Sequence, residues 1–464
     1  MNHISFGQKS ILLCGISLLL FCSQRIAAQE DANINEETLE RKFSCKPCKP
    51  LCKPDCKPFC KPDCKPFCKP DCKPFCKPCS PICKPDCNKP CKETVCIDCL
   101  PFIIKESGHY CLNKNIDLAS TSDNPCPTGI LIQADNVVLS LGGFGISGAF
   151  RGIDIQECSI NVVVKCGVIQ DTSAEAIRVG KDSKNIQLLD LKVINANMGG
   201  VCEGIAAILF DGTLTDGIKD SIVRNVLVSN SFGTGFNFSF CQDCKVIDSC
   251  ALTITSTLAF DANGFYVSGN GNLFDNCTSD TVVATLAAQS AHGFFAQGAS
   301  DTIFQGCQAS EIIHSNSVGT SEASGFTFAN SQCVACDSCI TTSISGGTNG
   351  FGFESRNSIS SSFRECAECM ASAIGFLLSS DINSCILECS ALNNVVAGFE
   401  VLNCTGCAVG KSKAVGNGTG FTLIGGANNR FYSNYASGNA TNYSAVTPVV
   451  ILGAEPILGG NISA

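Results

Sequence analysis

Sulfur is the first source of chemistry in this chain. Of its 464 residues, 36 are Cys. Cys14 and Cys22 lie in an apolar N-terminal stretch, and nineteen cysteines are scattered beyond residue 100. The other fifteen are Cys45, Cys48, Cys52, Cys56, Cys60, Cys64, Cys68, Cys72, Cys76, Cys79, Cys83, Cys87, Cys91, Cys96 and Cys99. The run Cys52-Lys53-Pro54-Asp55-Cys56-Lys57-Pro58-Phe59-Cys60 shows the unit, in which Cys-Lys-Pro-Asp alternates with Cys-Lys-Pro-Phe. Thiolates are soft metal ligands, but zinc sites favour Cys-x-x-Cys knuckles and the dominant spacing here is Cys-x-x-x-Cys. Disulfide chemistry is therefore the favoured reading of these fifteen residues, within or between molecules. Closing one such five-residue loop would restrain the unfolded chain by only ~2 kcal/mol.

Histidine offers less. His3 lies in the apolar N-terminal stretch, His109 precedes the repeats, and His292 and His314 flank long loops where a fold could bring them together. No catalytic, cofactor-binding or metal-ligating residue is assigned from these patterns.

The elements that must position such groups fall into five segments. Residues 1–28 carry Lys9, an apolar run from Ile11 to Cys22 and a small-residue site at Ile26-Ala27-Ala28, which is the pattern of a secretory signal. Residues 29–44 form an acidic linker of net charge −3. Residues 45–99 form the Cys-Lys-Pro arm, of net charge +6. A Pro in every tetrad excludes helix and central strand, so this arm is extended unless its thiols cross-link. Residues 100–440 hold a repeat domain, 441–464 an apolar C-terminal cap, and together they carry −14. The net charge of −9 gives no reason to expect nucleic-acid binding, and no run beyond residue 28 has the length of a membrane span. Export makes the periplasm, the outer cell surface or the medium the expected location.

Within 100–440 the pair Gly-Phe recurs at Gly235-Phe236, Gly264-Phe265, Gly293-Phe294, Gly325-Phe326, Gly350-Phe351, Gly375-Phe376, Gly398-Phe399 and Gly420-Phe421. Earlier copies carry Ile, at Gly129-Ile130, Gly152-Ile153, Ala176-Ile177 and Ala207-Ile208. Twelve repeats result, with a base period near 23 and longer copies in the middle. The positions one and three after the Gly are apolar throughout, while the position between them is mixed. That alternation puts two columns inward and one outward on stacked strands. A further column about fourteen residues after the Gly runs Cys166, Asp190, Asn225, Cys250, Cys277, Cys307, Cys339, Cys366, Cys389, Ser412 and Asn434. Vertical neighbours on parallel strands lie ~4.8 Å apart, too far for an ideal disulfide, so these cysteines are expected as buried thiols. The pairs Cys241/Cys244 and Cys404/Cys407, each within one repeat, are open to a different fate. An all-strand repeat of this length with stacked like residues means a β-solenoid of about twelve coils.

Gly420-Phe421-Thr422-Leu423 … Asn429-Arg430-Phe431 … Asn434-Tyr435-Ala436-Ser437-Gly438-Asn439 resembles the repeat of right-handed parallel β-helix proteins. These share the pectin-lyase-like fold and include periplasmic nitrous-oxide-reductase maturation proteins. The opening Ser107-Gly108-His109-Tyr110, followed by Ala134-Asp135-Asn136-Val137-Val138-Leu139-Ser140-Leu141-Gly142-Gly143, resembles the same family. The resemblance implies an all-β, right-handed parallel β-helix. The fold hosts lyases, hydrolases, adhesins and scaffolds, so function must come from the site. Hydrolases of this class use clustered carboxylates as acid and base, and their Asp-Asp pairs are missing from the chain. Lyases use acid-held Ca²⁺ with an Arg or Lys base; Asp154, Asp190 and Arg178 lie in neighbouring coils but are not aligned in one column.

The expectation is thus an exported structural or interaction protein, scaffold-like or adhesin-like: a rigid β-helix on a disulfide-forming arm. Its partners would be other envelope or surface proteins, reached through disulfides, with a polysaccharide as a further partner, and it needs no cofactor. A polysaccharide lyase or hydrolase is the alternative, and a thiol-based metal-binding protein the third reading. In the outward column Tyr266 and Phe295 occupy adjacent coils with Leu209 nearby, forming a candidate contact patch. The competing expectation is that a loop such as 282–292 folds over them.

Overall fold

A computed structural model of the chain describes residues 94–118, 127–198, 205–256, 260–286, 289–315, 321–346, 349–445 and 462–463. The signal, the linker, the arm from Cys45 to Cys91 and the apolar segment 446–461 lie outside the described residues. Among these residues the regular elements are strands, and every strand pairing is parallel. Fourteen strands stack into one sheet and twenty-five into a larger one. One coil shows how they alternate. Ala262–Asn270 lies in the smaller sheet, and Leu273–Asp275 and Thr278–Ala284 follow on two faces of the larger one. The next coil repeats this order as Ala291–Ser300, Ile303–Gln305 and Gln308–His314, residue against residue. The result is an all-β parallel β-solenoid, and crossovers between parallel strands are right-handed in nearly all sheets.

The twelve expected repeats occupy twelve of the fourteen strands in the smaller sheet. One strand is added before them, Phe102–Ile104, and one after, Thr441–Ala445. The solenoid also begins earlier than residue 100, since Thr94–Ile97 pairs with Gly108–Leu112. At the other end Ile462–Ser463 pairs with Tyr435–Ala436.

The inner column is a continuous stack of rings. Phe265 and Phe294 have centroids 4.8 Å apart, Phe294 and Phe326 4.6 Å, and Phe353 and Phe376 4.7 Å, all nearly coplanar. These spacings match the separation of adjacent strands, so each ring lies on the ring of the coil before. A second inner column, Phe274, Phe304 and Phe363, meets the first edge-on. The Gly before each Phe has a packing reason. A Cβ on Gly293 would lie 2.6 Å from the carbonyl oxygen of Gly325 and 2.7 Å from the Cβ of Ala309. Ala309 belongs to an opposite column of mostly small residues, Ala251, Ser279, Ala309, Thr341, Glu368 and Ala391, so the two sheets touch there without room for a side chain.

Two registers differ from the sequence expectation. Phe326 pairs with Phe353, not Phe351, and Phe353 with Phe376. The fifth Gly-Phe copy is therefore Gly352-Phe353. This puts Glu354 in the outward column and the buried Ser355 in an inward column otherwise apolar. The segment Gly350-Phe351-Gly352-Phe353 offers two equivalent matches. The thirteen residues from Phe353 to Cys366, equal to those from Phe326 to Cys339, select the second.

The cysteine column is also revised. Cys277, Cys307, Cys339, Cys366 and Cys389 are buried thiols as expected. Each donates to a carbonyl of the preceding coil, as from Cys307 Sγ to Phe274 O at 3.5 Å and from Cys389 Sγ to Phe363 O at 3.4 Å. Cys250 pairs with Thr278 instead, and Ser249 takes the ladder place. Cys166, Asp190 and Asn225 stand one residue earlier, at a corner with left-handed backbone (φ 58°, 54° and 53°). Asn276, Ser338, Glu365 and Glu388 hold the same corner in later coils.

Candidate functional site

The outward column of the fourteen-stranded sheet carries the ionisable groups. Strand register aligns Leu131, Asp154, Arg178, Leu209, Asn237, Tyr266, Phe295, Thr327, Glu354, Leu377, Glu400 and Thr422. Two clusters form along it.

The first lies at the N-terminal coils. Arg151 Nε is 2.8 Å from Glu175 and Arg178 Nη2 is 2.7 Å from Asp211, while Asp154 sits 3.6–3.7 Å from both guanidinium groups. Asp154 and Arg178 are thus direct register neighbours, contrary to the reading that kept them apart. Asp190 is elsewhere, accepting from Asn225 Nδ2 at 2.8 Å. Burial pushes the Asp154 carboxyl up, against the pull of the two arginines.

The second cluster is centred on His292, Glu322, Glu354 and Arg356. Arg356 grips Glu322 with both terminal nitrogens, each at 2.7 Å. Glu354 Oε1 lies 3.7 Å from Arg356 Nη1, and His292 Nε2 lies 3.7 Å from Glu322 Oε1. The other ring nitrogen of His292 is 3.1 Å from the Thr327 hydroxyl. Burial, reinforced by the nearby Arg356 charge, holds the imidazole neutral, its pKa lowered to about 3. Burial beside Glu322 raises Glu354 to about 8, so it carries its proton at neutral pH. Burial also pushes Glu322 up, against the pull of Arg356, and a protonated carboxyl beside an arginine-held one has the parts of an acid–base pair. Yet His292 is 1% exposed, Glu354 4% and Glu322 6%. The groups face one another, and the hydroxyl and guanidinium they contact belong to the same chain.

The aromatic patch adjoins this cluster. Phe295 stacks on His292 with centroids 4.5 Å apart, and Tyr266 meets Phe295 edge-on at 5.7 Å. The expectation of exposed rings is corrected. Phe295 is 7% exposed, Leu209 4%, and Tyr266 is half-buried with its hydroxyl donating to Gln297. Nearby, Asp261 accepts from the Ser290 amide and Glu322 O accepts from the Ala291 amide. Downstream, Phe351, Ala373, Ile374, Leu377 and Ala397 make a second, smaller apolar cluster apart from the main core.

His314 has its own partner, the Leu286 carbonyl at 3.0 Å, while His292 contacts Phe295, Thr327 and Glu322. His109 is exposed on the strand Gly108–Leu112. Cys96 and Cys99, the two arm cysteines among the described residues, are surface thiols; Cys241/Cys244 and Cys404/Cys407 are buried thiols. Among the described residues no group of three His, Cys, Asp or Glu is placed to hold a metal ion, and no helix is long and apolar enough to cross a membrane. Sequence reasoning missed Glu322, Glu354 and Arg356. Glu354 was hidden by the two-residue register ambiguity, and Glu322 and Arg356 meet only because Arg356 reaches back one coil.

No protein-family model matches the chain, and no curated protein matches it. Several solved structures are similar to it. The A-module of the Azotobacter vinelandii mannuronan C-5 epimerase AlgE6 is 10% identical, over 77% of this chain and 91% of that one, with a TM-score of 0.46. PfbA, a surface adhesin of Streptococcus pneumoniae, is 12% identical over 76% and 81%, with a TM-score of 0.41. The catalytic unit of a GH87 α-1,3-glucanase from Streptomyces thermodiastaticus is 12% identical over 70% and 64%, with a TM-score of 0.44. In fold, on the strength of its own strand register, the chain is a parallel β-helix protein.

Proposed function

We propose that this chain is an exported structural or interaction protein, a stiff β-helix joined to a cysteine-rich arm. The supporting observation is the state of the outer face. Much of its charge is paired within the chain, with Glu322 closed onto Arg356 and His292 under Phe295. Side chains committed in this way stiffen a surface rather than receive a substrate. Export follows from residues 1–28, and linkage to envelope or surface proteins from the fifteen arm cysteines.

A second reading, a carbohydrate-active enzyme, draws on Glu354, which holds a proton next to the arginine-bound carboxyl of Glu322. One experiment separates the two. The purified chain is incubated with neutral and uronate polysaccharides, and new reducing ends and unsaturated uronate are followed. The scaffold reading expects no product. Product that disappears in Glu354→Gln would replace it with the enzyme reading. Envelope fractions run with and without reductant test the linkage: a reductant-sensitive high-mass species is expected, and a monomer in both lanes would remove it.

A further inference from the structure

We propose that Cys96 and Cys111 form a redox modification site, closing into a disulfide that staples the first strand of the larger sheet to the next coil. The two residues are register partners on the parallel strands Thr94–Ile97 and Gly108–Leu112. Their sulfurs lie 3.7 Å apart. Cys96 is exposed and Cys111 half-exposed, so a small oxidant reaches them. The ladder thiols differ on both counts. Cys277, Cys307, Cys339, Cys366 and Cys389 are buried and turned toward carbonyl oxygens of the preceding coil.

Geometry explains why this vertical pair can close where others do not. Disulfides accept Cα separations of about 4.4–6.8 Å, which includes the spacing of adjacent strands, but they want the Cβ atoms nearer than a regular ladder holds them. A ladder residue has a bonded coil on both sides and cannot shift. Among the described residues, Thr94–Ile97 is bonded only to Gly108–Leu112. Its movement toward that neighbour breaks no other described pairing.

The chemistry balances with a small-molecule disulfide such as oxidised glutathione. The Cys96 thiolate attacks one sulfur of the oxidant, forming a mixed disulfide and releasing one glutathione thiolate. The Cys111 thiolate then attacks the Cys96 sulfur, forming the Cys96–Cys111 bond and releasing the second. The two cysteines lose two electrons and two protons; the oxidant gains both as two thiols. Among the described residues the stapled strand is bonded on one side only, and a strand so held opens more easily than one bonded on both.

The full-length protein, equilibrated in glutathione buffers of rising oxidation and alkylated, is digested with trypsin. Cys96 and Cys99 fall in the peptide 93–105 and Cys111 in 106–114. The expected product joins these two peptides. It persists in Cys99→Ser and is lost in Cys96→Ser and in Cys111→Ser. In the native protein, brief proteolysis after the exposed Lys105 should slow about tenfold on oxidation in wild type and Cys99→Ser, and not in Cys96→Ser. Recovery of 106–114 with an alkylated Cys111 under oxidising buffer overturns the proposal. So does its recovery bonded to any cysteine other than Cys96.

Discussion

The early and late coils share one backbone register and fill it differently. In the early coils the inner column is aliphatic, Ile130 on Ile153 on Ile177 on Ile208, and the outer face carries the ladder Arg151, Glu175, Asp154, Arg178 and Asp211, still partly open to water. In the late coils the inner column is stacked Phe, and the outer ionisable groups His292, Glu322 and Glu354 are shut in. The inner column thus tolerates either chemistry so long as each residue matches the one beneath it.

The sharpest way to break this contrast is at the ring stack. Phe326 is fully buried between Phe294 and Phe353, 4.6 and 5.1 Å away. Phe326→Asp puts an unpaired charge there and should abolish folding, seen as loss of soluble protein and of the β-sheet far-UV signal. A soluble, folded variant would refute the register. Next comes the covered patch. Phe295→Ser should lose about 3–5 kcal/mol in denaturant unfolding and half-buried Tyr266→Ser less, with no partner needed to see it. A change within about 0.5 kcal/mol would mean the rings are exposed after all. Arg356→Met leaves the buried Glu322 and Glu354 without their guanidinium partner and should cost about 3 kcal/mol.

Acidity sharpens the contrast further. Burial raises the carboxyls of both Glu354 and Glu368 to about 8, whereas a glutamate in the unfolded chain titrates near about 4.3. Between those values the native state holds protons that the unfolded state has released. Stability therefore falls as pH rises through that window, by up to about 1.4 kcal/mol per pH unit for each carboxyl, and levels off above about 8. Unfolding midpoints at pH 6.8, 7.2 and 7.6 measure the slope, above the range in which His292, neutral in the fold and protonated in the unfolded chain, pulls the other way; Glu368→Gln should roughly halve it. Stability rising across this window would show that both carboxyls ionise in the fold. The smallest effect belongs to the early coils. Arg178→Met breaks a partly exposed pair and should cost no more than about 1 kcal/mol, and a loss equal to that of Arg356→Met would erase the distinction between the two faces.

The fold was legible because it is written in columns. Gly-Phe marks the place where two sheets touch, and the ring above must match the ring below. Errors arose where a column has two acceptable phases, as in Gly350-Phe351-Gly352-Phe353, and where a corner residue and its inward neighbour were merged, as with Asn225 and Cys250. The outer cluster was harder. Glu322 lies in the chain leading into its strand, with no repeat to align it, and its partner Arg356 stands a coil away. Alternation places side chains in or out, but whether an outward residue is covered depends on loops that have no period. That is why Tyr266 and Phe295 could be assigned to a face and not to an environment.

The spacing within each coil has a consequence for how such a molecule changes over generations. Thirteen residues separate Phe294 from Cys307, Phe326 from Cys339, Phe353 from Cys366 and Phe376 from Cys389. The remaining arc varies: nineteen residues run from Cys307 to Phe326 but ten from Cys366 to Phe376. The fixed arc is itself adjustable where a bulge or a loop absorbs the change: Phe265 to Cys277 is one residue shorter, beside the register shift at Val267/Gly269, and Ile208 to the ladder place at Val226 is five longer. A lineage carrying this fold can lengthen or trim single coils, while the stack beneath inherits its pitch unchanged.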